Sequence, residues 1–139
     1  MDAHTATQNT AFVPASFELL PMLTVEENVV FPLRLTGATA DRAWIAAVLR
    51  AVEMDGRGQV RPADLSRGEQ LRVALARALA TRPETLVVDD LACTVDAITW
   101  RGAIRTLRRI ADELELTVVL ATGDAADAAL AGHVGDAAA

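Results

Sequence analysis

Leu65-Ser66-Arg67-Gly68-Glu69-Gln70-Leu71-Arg72-Val73-Ala74-Leu75-Ala76-Arg77-Ala78-Leu79, followed by Thr85-Leu86-Val87-Val88-Asp89-Asp90, decides the reading of this chain. The first run opens on Ser66-Arg67-Gly68-Glu69, a hydroxyl three residues before a carboxylate. That is a capping box, in which each side chain binds the other residue's backbone N–H and satisfies donors that a helix start leaves orphaned. The helix is expected to run to about Thr81, with Pro83 just beyond its end. Leu86-Val87-Val88 is a continuous apolar run of the kind found in buried parallel strands. Two carboxylates follow it directly.

On the amino-terminal side, Ala11-Phe12-Val13 reads as a short strand, and Pro14 breaks further pairing. Thr24-Val25-Glu26-Glu27 is another capping box, ahead of Val29, Val30, Phe31 and Leu33. Pro32 falls inside that segment and should end or kink the helix. Gly37 closes it. From Asp41 to Met54, Trp44, Ile45, Val48, Leu49 and Val52 share one helical face. Asp55 to Pro62 holds two glycines and a proline and reads as a loop. On the carboxyl-terminal side, Asp96 can cap a helix with Trp100, Leu107, Ala111 and Leu114 inward. Its Arg101, Arg105, Arg108, Arg109, Asp112 and Glu113 then form a solvated face, with acids at helical spacing from the arginines. Thr117 to Ala121 is a second buried-type strand, and Asp124 caps a final Ala-rich helix. Residues 1–9 are small and polar and read as a disordered lead. Strands alternating with helices in this order predict an α/β protein with a short parallel sheet.

Composition narrows the function classes. At 139 residues the chain is long enough for one domain with a genuine core. The net charge of −6 argues against a nucleic-acid binder, which usually carries a basic surplus. A single cysteine, Cys93, excludes an intrachain disulfide and every multi-cysteine metal site, and reads as a small apolar filler. His4 and His133 have no ligand-spaced neighbours. The start has no basic region followed by an apolar core, and no apolar run approaches the ~20 residues that span a bilayer. A cytoplasmic protein is expected, meeting the inner face of the cell membrane only through a membrane partner.

Taken together, the helix at Leu65–Leu79 and the strand ending in Asp89 resemble the signature helix and Walker B strand of an ATP-binding cassette (ABC) transporter ATPase. The likeness covers about Ala11 to Asp136. Val13 to Val29 is similar to the family's Q-loop and following helix, and its Leu19-Leu20-Pro21-Met22-Leu23-Thr24-Val25-Glu26-Glu27-Asn28-Val29 is closest in wording to the lipoprotein-release and macrolide-export branch. Residues 24–60 resemble the helical subdomain that docks on a transmembrane partner, and residues 61–139 the signature, Walker B, D-loop and switch-loop region. Cys93-Thr94-Val95-Asp96 looks like the D-loop, and Ala121-Thr122-Gly123-Asp124 stands in place of the switch-histidine loop. The resemblance implies a single domain over 1–139. Its fold is a truncated P-loop NTPase with a short parallel sheet, flanking helices and a helical subdomain.

The sequence departs from the family at the positions that do chemistry. No Gly-x-x-x-x-Gly-Lys-Ser/Thr stands anywhere in it; the Walker A loop would precede residue 1. Ala15 stands where a Gln senses magnesium and the γ-phosphate. Asp90 replaces the catalytic Glu, and Gly123 replaces the switch His. A phosphate cradle needs successive backbone N–H groups and a Lys charge to hold a polyanion. Shortening Glu to Asp withdraws the carboxylate by roughly 1.5 Å, enough to misplace a water.

The resemblance therefore implies a non-catalytic accessory or regulatory subunit that binds no cofactor alone. It would pair with a complete ABC ATPase, a permease or a second copy of itself. A rival reading keeps an ATP-binding role. Ser66, Arg67, Gly68, Glu69 and Gln70 would contact Mg-ATP held by a partner, because a helix start favours an anion. Ser66 and Gly68 match that role, whereas Arg67 occupies the usual place of a glycine. Asp89 would hold magnesium through water, or else be a vestigial carboxylate. A third reading is a decayed fragment without a selected role. Finally, without a Walker A strand, Thr117 to Ala121 should become a sheet edge, and one apolar sheet face should be bare.

Overall fold

The computed structural model describes residues 10–90 and 94–121, and the backbone of 135–136. Two compact units emerge, one of residues 1–15 with 82–139, the other of residues 16–81.

The first unit holds a parallel sheet in the order β1-β2-β3-β4, with β1 at Thr10–Val13, β2 at Thr85–Val88, β3 at Thr117–Leu120 and β4 at Gly135–Asp136. Phe12 pairs with Val87 and Val87 with Val119; Val13 pairs with Val88 and Val88 with Leu120. Side chains alternate across the sheet, so Val13, Leu86, Val88, Val118 and Leu120 share one face and are buried to 1% exposure or less. On the opposite face Phe12 is 55% exposed, and Val87 and Val119 are half-buried. The bare apolar face that the resemblance implied is thus met at Phe12 alone, the two valines being partly covered.

The expected edge at β3 is corrected. β4 pairs with it, Val119 with Gly135 and Leu120 with Asp136. The two-residue strand caps the carboxyl half of β3, and it escaped the sequence because Gly135-Asp136 has no strand pattern.

The long helix of this unit, Ala97–Leu114, packs on β3. Asp96 caps it, its carboxylate accepting the Thr99 N–H at 2.7 Å. Trp100, Ala103, Ile104, Leu107, Ile110 and Ala111 face inward. Leu114, expected inward, is 41% exposed, because the helix ends there and the chain turns through Glu115 in a left-handed conformation (φ 53°). The helix expected after Asp124 lies outside the described residues, as does the lead at 1–9.

The second unit is helical. α1 (Val25–Leu35), α2 (Arg42–Ala51) and α3 (Arg67–Leu79) precede the long helix, which is therefore α4. Both capping boxes form: Thr24 with Glu27 at the start of α1, and Ser66 with Glu69 at the start of α3. Pro32 does not end α1, which continues to Leu35 and closes through Gly37 at φ +76°. The missing N–H of Pro32 forfeits one bond, and burial of Val25, Val29 and Val30 on the preceding turns outweighs that loss.

Asn28, absent from the expected core, is wholly buried. Its Oδ1 accepts the Leu20 N–H at 2.8 Å, and its Nδ2 donates to the carbonyls of Leu20, Leu23 and Thr24. It ties the approach loop to α1. The Trp44 indole N–H donates to the Ala80 carbonyl at 3.2 Å and joins α2 to the end of α3.

Candidate functional site

In open α/β sheets, ligands gather beyond the carboxyl ends of the strands. Ala15 follows the end of β1 there, and Asp89 and Asp90 follow β2. The Asp89 N–H donates to the Val13 carbonyl at 3.0 Å, extending the β1–β2 ladder to the first acid. The Asp89 carboxylate accepts the Asp90 N–H at 2.8 Å, a contact that turns the chain out of the strand. Asp89 is half-buried and Asp90 exposed. Ala15 brings only a methyl group. The sheet thus places three of the sequence-assigned positions at one end of two adjacent strands. Gly123 lies outside the described residues. Asp96, assigned to the D-loop, serves as the cap of α4; hydrogen bonds from the Thr99 backbone and hydroxyl hold its carboxyl below the usual range. Among the described residues no group of three or more potential ligands stands ready for a metal ion.

The second unit carries the other cluster. Ser66 Oγ accepts the Glu69 N–H at 3.1 Å, and Glu69 Oε1 accepts the Ser66 N–H at 2.9 Å. Glu69 Oε2 pairs with Arg57 at 2.8 Å. The Ser66 N–H first, then Arg57, hold the Glu69 carboxyl below its usual range. Gln70 Nε2 donates to the Pro62 carbonyl at 2.9 Å, anchoring the turn that feeds α3. Arg67 turns away from the helix axis. Its guanidinium stacks 4.5 Å from the Phe17 ring centroid, and one of its nitrogens donates to Gln70 Oε1 at 3.0 Å. The side chain that replaces a glycine is thereby drawn aside, and the hydroxyl of Ser66 stays at the surface.

Sequence reasoning missed the partners of this cluster. Phe17 and Glu18 are both left-handed, at φ 65° and 55°, a conformation that costs non-glycine residues energy. Arg77 answers it by donating to both carbonyls, Glu18 at 2.8 Å and Phe17 more closely still. Burial pulls the Arg77 pKa down, and Glu18 opposes that pull. A lone arginine inside Ala74-Leu75-Ala76-Arg77-Ala78-Leu79 was the available clue. Nothing local marked Arg57 or Phe17, whose contacts span long stretches of sequence.

A parallel sheet with carboxylates beyond its strand ends, flanked by a helix, defines an α/β fold, and its likeness to solved ATP-binding cassettes makes it a truncated P-loop NTPase fold. Residues 1–92 match the ABC transporter family. Methionine import ATP-binding protein MetN of Xylella fastidiosa is 44% identical over 108 residues, covering 76% of this chain and 32% of that protein. Spermidine/putrescine import ATP-binding protein PotA of Methylococcus capsulatus is 41% identical over 122 residues, covering 86% of this chain and 31% of that protein. A solved dimeric structure of the ATP-binding cassette MJ0796, in a post-hydrolysis state bound to ADP and Pi, superposes with a TM-score of 0.72 at 31% identity, covering 94% of this chain and 60% of that one. The chain belongs to the ABC transporter family. It spans about a third of the length of these curated relatives. Both relatives are import proteins, so the export-branch wording of residues 19–29 does not carry over to them.

Proposed function

We propose that this chain is a non-catalytic ABC-transporter ATP-binding subunit, an accessory or regulatory partner of a complete ABC ATPase or of a permease. One observation supports the reading most. At the carboxyl ends of β1 and β2 stand Asp90, one methylene shorter than the Glu that the resemblance implies, and Ala15, which brings only a methyl group. A carboxylate withdrawn by roughly 1.5 Å misplaces a water, and a methyl group offers neither magnesium nor a phosphate a polar atom. On this reading residues 1–139 act as one domain on the cytoplasmic side, with residues 24–60 facing the permease. Titration calorimetry and a phosphate-release assay with Mg-ATP test it. The expected outcome is no turnover and an affinity weaker than millimolar, which corresponds to about 4 kcal/mol. Magnesium-dependent turnover abolished by Asp89→Asn would overturn it.

A second reading rests on the withdrawal of Arg67 toward Phe17 and Gln70, which leaves Ser66 at the start of α3. It makes the chain a donor of its signature helix to Mg-ATP held by a partner, since a helix start attracts phosphate. On this reading Ser66→Arg slows hydrolysis by a complete partner cassette, and Ser66→Ala slows it less. An unchanged rate with a confirmed complex removes the reading.

A further inference from the structure

The exposed face of α4 carries its charges in an order that works against the helix. Arg101, Arg105, Arg108 and Arg109 all reach solvent, and no acid stands between Asp96 and Asp112. Arg101, Arg105 and Arg109 are spaced i, i+4 and i+8, so like charges stack along one side, a destabilising arrangement. The only acids of the helix, Asp112 and Glu113, lie near its carboxyl end, where the macrodipole disfavours them. Arg109 meets Glu113 at 3.6 Å, whereas Arg101 and Arg105 enter no ion pair among the described residues. One turn before Arg101 on the same side, Ile98 is 83% exposed. Arg105, Arg108 and Arg109 line a shallow, open recess together with Asp112 and Glu113. A segment that breaks several local rules at once is where function is to be sought.

We propose that this face of α4 docks a narrow acidic segment of a partner protein. Charge complementarity selects the class of partner. The arginine row from 101 to 109 is about 12 Å long at the rise of a helix. It is bounded by Asp96 at one end and by Asp112 and Glu113 at the other, on a chain of net charge −6. A membrane or a nucleic-acid duplex is wide enough to press its own charges against those acids as well. A helix or strand bearing carboxylates at matching intervals engages the arginines alone. The guanidinium groups of Arg101 and Arg105 can each offer a carboxylate two parallel N–H donors. Ile98 adds an apolar contact one turn beyond. The proposal holds whether or not the chain binds nucleotide.

A fluorescein-labelled helical peptide with Glu at i, i+4 and i+8 is the probe, titrated with the full chain by anisotropy. The control peptide carries Gln at those positions. The Glu peptide is expected to saturate at micromolar chain concentration and the Gln peptide to bind at least about tenfold more weakly. Raising ionic strength from about 0.05 to 0.5 M should weaken the Glu peptide by a similar factor, because exposed ion pairs are screened. The double variant Arg101→Ala/Arg105→Ala should lose binding with an unchanged far-UV spectrum, since both side chains are exposed. Arg50→Ala, an exposed site on α2, should bind as the parent chain does. Equal binding of Glu and Gln peptides, full retention in the double variant, or tighter binding to phosphatidylglycerol vesicles or to a short DNA duplex would each overturn the proposal.

Discussion

Asn28→Ala should be among the costliest single changes in the helical unit. The side chain is 0% exposed, yet every polar atom of it is occupied. Removing it leaves the part-buried Leu20 N–H without its acceptor, a loss of about 1–3 kcal/mol. The carbonyls suffer less. The Leu20 carbonyl still accepts the Leu23 N–H, and the Thr24 carbonyl still accepts the backbone N–H of residue 28. Their weaker share adds about 1 kcal/mol. The expected total is about 2–4 kcal/mol, a large part of the 5–15 kcal/mol that holds a typical domain. With a urea slope of about 2 kcal/mol/M, the midpoint should fall by about 1–2 M. The fluorescence of Trp44 reports on this unit and that of Trp100 on the sheet unit, so single-tryptophan backgrounds show where the loss falls. Asn28→Asp should do no better at neutral pH, since a carboxylate would keep the Leu20 N–H but face three carbonyl oxygens. A midpoint shift below about 0.3 M with an unchanged slope would refute the reasoning.

Three further outcomes are expected. Glu115→Gly should stabilise the chain by about 0.5–1 kcal/mol, raising Tm, because the left-handed φ of 53° at the end of α4 suits glycine better. Ser66→Ala should cost about 1 kcal/mol and speed amide exchange at Glu69, whose N–H loses its acceptor. Glu27, Glu69 and Asp96 all titrate below their ordinary range, each chiefly through a backbone N–H at a helix start. A depressed folded-state pKa stabilises above the unfolded value of about 4 and loses that contribution as pH falls through the lower folded value. Acid titration followed by circular dichroism should therefore show Glu69→Gln losing less stability between pH 5 and pH 2 than the parent chain.

Much of the fold was legible because its signals are local. Thr24 with Glu27, Ser66 with Glu69, and Asp96 each announce a helix start through side chains within three residues. Leu86–Val88 and Val118–Leu120 announce buried strands through their apolar runs. Pro32 misled, because tertiary burial of the valines around it overrode the lost bond. Leu114 misled because the apolar period continued one residue beyond the last turn that packs. β4 was invisible: its two residues join the sheet through position alone. In the candidate site, Asp89 and Asp90 could be placed from their position after an apolar run. The Arg77 grip on Phe17 and Glu18, and the stacking of Arg67 on Phe17, depend on segments far apart in sequence that no spacing rule connects.

The sheet unit is interrupted, and that fixes an order of assembly. Thr10 must find Thr85, about seventy-five positions later in the chain. Closing so long a loop from an open coil costs about 4 kcal/mol before any ladder bond returns the loss. Residues 16–81 form a contiguous compact unit whose two ends are tied together by Arg77 on the carbonyls of Phe17 and Glu18. Their collapse takes up most of the slack and turns a long search into a short one. β1 is made before β2, so their ladder waits until residues 85–88 are available. The rate of forming the β1–β2 ladder is then governed by how fast the inserted helices fold, and a lesion such as Asn28→Ala would reach the sheet through timing as well as through stability.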